Sequence, residues 1–194
     1  MAKYRFAKWV PTKSKNWGAG PMADPLHGVL LHITDGVKVN GKKQLGEMKN
    51  MNASFDANHN SVHFAIDKSG EVWQFVDTAQ SARALGGGYR DTKWISVENL
   101  ALPGDLLTSG QIHSLAGLYA WLVLSKGIPL REVDVHKSPA DFDSGKEMGL
   151  GGHSMYRDPN RVMCPGPAIL AQRKDILSLA RHFASLGLVS DPIF

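Results

Sequence analysis

Cysteine is almost absent from this chain: Cys164 is the only one in 194 residues. That excludes an intrachain disulfide framework and leaves the redox compartment open. No apolar stretch is long and uncharged enough to span a bilayer, so no membrane insertion is expected. The N-terminus is interrupted by Lys3, Arg5 and Lys8 and has no continuous apolar core, so no signal peptide is expected either. Arginine-rich helices and glycine–aromatic RNA-binding motifs are missing, and the basic residues are scattered after Lys15. The formal charge of +4 therefore predicts no nucleic-acid partner; it suits an anionic polymer or surface, or simply a mildly basic protein. Gly86, Gly87 and Gly88 lack the following helix and lysine of a phosphate loop. There is no internal repeat and no low-complexity segment. What remains is a chain long enough for one well-buried core and short for two.

The patterning that is present predicts an α/β fold, a single domain with a central mixed β-sheet flanked by α-helices. Residues 1–24, punctuated by Pro11, Gly18, Gly20 and Pro21, read as an N-terminal arm packed on a domain of residues 25–194. Residues 28–33 form an apolar strand ending in His32. A turn at Asp35 and Gly36 follows, then a polar region with weak helical pattern near residues 42–51. Residues 61–67 and 71–76, joined by Lys68-Ser69-Gly70, read as a hairpin. Residues 94–102 form another strand. Thr108 and Gln111 make a capping box for a helix that Gly127 ends, and a last helix runs from Pro167 to Gly187. Residues 137–150 read as an inserted polar loop.

The chemistry gathers near the end of the chain, where glycine-flanked His153 lies a short loop from Cys164. A thiolate and a neutral imidazole are both good zinc ligands, and a catalytic zinc takes three protein ligands and leaves a fourth position open. His32, at the tip of its strand, is the best third ligand. His136 also ends a short strand pattern and competes with His153 for the second position; the glycines before His153 favour the latter. The plain alternative is a buried free cysteine and unrelated histidines. Glu98, central in an apolar strand, stands out because a buried carboxylate costs roughly several kcal/mol unless paired or useful. His63, on an inner strand, is either a functional group or a hydrogen-bonded structural histidine.

In order, His32, the residues Ser61-Val62-His63-Phe64, the strand around Glu98, and His153 with Cys164-Pro165-Gly166 resemble the zinc-dependent N-acetylmuramoyl-L-alanine amidases, from about residue 28 to about residue 180. The resemblance implies a peptidoglycan hydrolase that cuts the amide between N-acetylmuramic acid and L-alanine of the stem peptide. It implies Zn2+ as cofactor on His32, His153 and Cys164, and Glu98 as the catalytic acid–base. It also implies His63, Ala84, Gly88 and Tyr89 as substrate contacts. Two departures accompany it: Val62 stands where phage-type relatives carry a catalytic tyrosine, and Val162 where many members carry a lysine. Arg161 or His136 is the replacement cation this reading offers. The expected partner is peptidoglycan, bound by a monomer. With no signal peptide expected, the protein would be made in the cytoplasm and reach the wall through a holin or a secretion system, as a phage endolysin or a lytic effector. The alternatives are a non-catalytic peptidoglycan-binding module and a cytoplasmic muropeptide-recycling amidase.

Overall fold

The computed structural model describes residues 3–39, 42–157 and 163–187. The chain opens with two short strands, β1 (Ala7–Trp9) and β2 (Trp17–Pro21), before the fully buried strand β3 (Gly28–Ile33). A hairpin of β4 (Val37–Val39) and β5 (Lys42–Gln44) and the helix α1 (Met51–Asn58) lead to β6 (Phe64–Ile66), β7 (Val72–Gln74) and β8 (Gln80–Ala82). Strand β9 (Trp94–Asn99) then feeds the long helix α2 (Ser109–Lys126). The chain closes with α3 (Pro139–Asp143), β10 (Gly149–Gly152), α4 (Pro167–Ala171) and α5 (Arg173–Ser185).

Six strands make one mixed sheet in the order β1-β7-β6-β9-β3-β10. Only β6 and β7 pair antiparallel; the other neighbours are parallel. Side chains alternate across a strand, so β3 sends Val29, Leu31 and Ile33 into one core with Leu115, Leu118 and Leu122 of α2 and Ile176 and Leu177 of α5. Its even positions, Leu30 and His32, face the other way, where Leu30 packs with Trp94, Phe142, Met155 and Tyr156. The sheet thus has one face sealed by α2 and α5 and another that carries smaller apolar clusters together with His32. Among the described residues no helix is long and apolar enough to cross a membrane.

Local signals explain most elements. Thr108 caps α2 by accepting from the Gln111 N–H at 3.1 Å, and Gly127 ends it at φ 67°. Four expectations need correction. The arm does more than pack: β1 is an edge strand of the sheet and β2 pairs with β8. The helical pattern placed near residues 42–51 falls later, because the apolar i,i+4 pair that a helix buries is Met51 and Phe55, and Phe55 meets the Phe75 ring edge-on at 5.2 Å. The segment before it is instead the β4–β5 hairpin. The polar insertion at residues 137–150 contains α3, capped by Ser138, and the first half of β10. The strand pattern that ends in His136 is a turn, with only Glu132 bridging to Leu150.

Candidate metal centre and its cleft

Strand β10 is Gly149-Leu150-Gly151-Gly152, a poor strand by propensity, and it forms because its neighbours leave no alternative for its backbone. Gly149 N–H donates to the His27 carbonyl at 2.8 Å and Leu150 N–H to the Arg131 carbonyl at 2.8 Å. Arg173, buried at the start of α5, donates to the carbonyls of Val133 at 2.8 Å and Leu150 at 3.1 Å and pairs with Glu132 at 3.3 Å. Gly152 must be glycine: a Cβ there would lie 2.6 Å from Pro165 and 2.8 Å from Leu170. That close approach brings the end of β10 against the Cys164 segment, and Ser154 N–H donates to the Cys164 carbonyl at 2.6 Å.

Three polar groups consequently meet at the carboxyl ends of three adjacent parallel strands, the usual place for a site in an open α/β sheet. His32 is the penultimate residue of β3, Glu98 the penultimate residue of β9, and the two are register partners. His153 follows β10 directly. The imidazoles of His32 and His153 lie 4.7 Å apart between centroids, and Cys164 Sγ is 3.9 Å from His32 Nδ1. One ligand atom from each of His32, His153 and Cys164 lies within 4.8 Å of the others. A tetrahedral centre with zinc-like bonds sets its ligand atoms about 3.5 Å apart, so this trio is nearly at coordination distance and its donor chemistry fits a borderline-soft divalent ion. His32 and His153 are buried and Cys164 nearly so, at 9% exposure.

A cleft of about 60 Å³ joins this trio to Glu98, Asn60, Arg83 and Ala84, with Phe55 and Val62 as its apolar wall. On the other side of Glu98 its register partner is Ala65, whose short side chain leaves the carboxylate room. Asn60 and Arg83 carry no sequence signal; they sit in loop and strand-end positions with no periodic pattern to mark them.

The remaining expected residues divide. Ala84 borders the metal cleft, whereas Gly88 and Tyr89 line a shallower neighbouring pocket of about 310 Å³ with Leu85, Arg90 and Asp143. His63 is corrected from substrate contact to frame: it is fully buried, its Nε2 bonds the Gln80 carbonyl at 2.9 Å and its Nδ1 accepts the Ser96 N–H at 3.1 Å. Burial outweighs the Gln80 bond and the Asp77 charge and pushes its pKa down to about 4. His136 is exposed and lies outside the trio. Arg161 and Val162 lie outside the described residues.

The loop between the two pockets is organised by a residue with no expected role. Asp91 is buried, and its carboxylate accepts N–H groups from Ala84 (2.9 Å), Leu85 (2.7 Å), Gly87 (2.6 Å) and Gly88 (3.2 Å). Burial pushes its pKa up, and these bonds pull it back. Gly86 and Gly87 supply φ values of 94° and 84° that the wrap requires. Arg90 ties the same loop to α3 through paired 2.8 Å bonds to Asp143.

The sequence model of the N-acetylmuramoyl-L-alanine amidases matches residues 22–167, three quarters of the chain and every residue of the trio. The chain belongs to the N-acetylmuramoyl-L-alanine amidase family. Membership sets the reaction class of this amidase as hydrolysis of the amide between a muramoyl group and L-alanine. No curated protein matches its sequence. Among solved structures the amidase resembles a selenomethionine derivative of AmpD (TM-score 0.59, 16% identity, 91% of this chain and 98% of that one). It also resembles the N-acetylmuramoyl-L-alanine amidase LysC from Clostridium intestinale URNW (0.56, 17%, 88% and 97%). A third similar structure is the hydrolase AmiA of Staphylococcus aureus in complex with its ligand (0.58, 15%, 96% and 87%). At these identities the likeness is one of fold.

Proposed function

We propose that this amidase cuts peptidoglycan with zinc held by His32, His153 and Cys164 and with Glu98 as the acid–base. The observation that carries the reading is the meeting of a two-imidazole, one-thiol donor set and a carboxylate in one cleft, with His32 and Glu98 side by side on paired strands. Zinc bound there would supply Lewis acidity to the carbonyl and lower the pKa of a water. Glu98 takes a proton from the attacking water on a carboxylate oxygen and returns it to the departing L-alanine nitrogen. Phe55 and Val62 give the cleft its apolar side. Val62 cannot replace the proton-handling tyrosine of phage-type relatives, so on this reading Glu98 carries both proton transfers. The intact donor set argues against a purely binding module.

The polymer rather than its soluble fragments is the proposed substrate, supported by the net charge of +4 and by a second pocket, lined by Leu85, Gly88 and Tyr89, next in sequence to Ala84 of the cleft. A lysin or delivered effector, released to the wall by a holin or a secretion system, fits that substrate. The test is zinc content together with stem-peptide release from purified sacculi and from soluble muropeptides. The expected result is one zinc per chain and preferential cleavage of sacculi, with zinc lost in Cys164→Ser and His153→Ala and kept in His136→Ala. Zinc loss in His136→Ala with retention in His153→Ala would reverse the ligand assignment, and preference for soluble fragments would make the protein a recycling enzyme.

A further inference from the structure

Most arginines of the described chain spend their guanidinium on the protein itself. Arg90 pairs with Asp143, Arg173 bonds Val133, Leu150 and Glu132, and Arg131, Arg157 and Arg181 each donate to a main-chain carbonyl. Arg83 is different. Among the described residues it forms no ion pair and no side-chain hydrogen bond, yet it lines the same cleft as the ligand trio and Glu98.

Its position is built. Arg83 N–H donates to Ser61 Oγ at 3.0 Å and its carbonyl accepts the Ser61 N–H at 3.2 Å, while Ser61 Oγ donates to the Asn16 carbonyl at 2.7 Å. The next residues are clamped by the Asp91 carboxylate. The side chain lies along Gly87, where an added Cβ would come within 2.8 Å of Arg83 Nε. Arg83 is thus an exposed cation on the lining of the cleft, and the remaining side chains that line it are apolar, neutral, acidic or in the ligand trio.

We infer that Arg83 is a specificity-determining residue that grips a carboxylate on the peptide side of the scissile amide. The inference rests on the amidase reading for its substrate class. On the sugar side of that bond an N-acetylmuramoyl group offers hydroxyl and acetamido groups but no anion, because its carboxyl is consumed in the amide. The carboxylates lie on the peptide side, where a planar guanidinium binds them through two parallel N–H donors. Arg83 thereby sets which way the substrate lies across the cleft, with its peptide toward Arg83.

The probes are N-acetylmuramoyl-L-alanyl-D-glutamate with both glutamate carboxyls free and the same molecule with both as primary amides. Binding and turnover of each are measured with the wild type, Arg83→Gln and Arg83→Lys, with thermal melts to confirm folding. The expected wild-type preference for the acid form is about tenfold to a hundredfold in binding. Arg83→Gln should erase it by weakening the acid form alone, and Arg83→Lys should keep part of it. On the acid form the loss should fall in KM, with kcat nearly unchanged. Equal wild-type binding of both probes overturns the inference. So does a kcat loss of similar size on both probes in Arg83→Gln, which would make Arg83 an oxyanion donor. If neither probe is cut but the Arg83-dependent preference in binding persists, the hydrolytic reading fails and the carboxylate grip stands.

Discussion

Asp91 and Glu98 are two acids in one stretch of chain, and the molecule uses them in opposite ways. Asp91 spends both oxygens on four backbone N–H groups of the loop at residues 84–88. Glu98 sits near the end of a parallel strand beside His32 and opens on the cleft. The histidines divide in the same way: both nitrogens of His63 are committed between Gln80 and Ser96, while the rings of His32 and His153 face one another across the trio. Polar groups at the carboxyl ends of β3, β9 and β10 line the cleft. Those behind them are consumed in holding loops and strands at the spacing the first group needs.

That division is sharpest in single substitutions. On the proposed mechanism Glu98→Gln removes the proton acceptor, so hydrolysis should fall on the order of a thousandfold while zinc content and melting temperature stay near wild type; steady-state kinetics beside metal analysis would check it. A large drop in melting temperature would place Glu98 with the framework instead. Asp91→Ala should do the reverse. With four N–H groups left unsatisfied, stability in denaturant titration should fall by about 3 kcal/mol, and KM should rise more than kcat falls as Ala84 and Arg83 lose their support.

The smallest effect is the pH response of His63. Its folded pKa of about 4 lies below the unfolded value near 6.5, so between the two the unfolded chain holds the extra proton. Its contribution is complete above about pH 6.5 and is lost as pH falls toward 4. Between pH 7 and pH 5 this should amount to about 2 kcal/mol of unfolding free energy, and His63→Gln should flatten that part of the profile. An unchanged slope in His63→Gln would assign the acid sensitivity to other groups.

The two kinds of group were not equally legible in the sequence. His32, Glu98, His153 and Cys164 could be picked out because each breaks a local expectation: a histidine or an acid in an apolar strand, a lone cysteine beside prolines and glycines. The α2 helix announced itself through Thr108, Gln111 and Gly127. Strand β10 did not, because its Gly-Leu-Gly-Gly carries almost no propensity and depends on Arg173, Arg131 and His27 for backbone partners. Asp91 looked like any loop acid, although its place three residues after Gly88 is capping-box spacing. Arg83 is found only through what it does not touch, which no one-dimensional pattern records.

The parallel pairing that brings the site together also governs when it exists. The β6–β7 hairpin and α2 are built from neighbours in sequence and close quickly, whereas Cys164 and His32 are 132 residues apart and β10 reaches β3 only after a long crossover. Loop-closure entropy must be overcome before those contacts stabilise anything. A partly folded chain with its helices and hairpin in place would hold Glu98 without the trio beside it. On the proposed mechanism hydrolytic competence is a property of the completed topology, and loosening β10 should remove it.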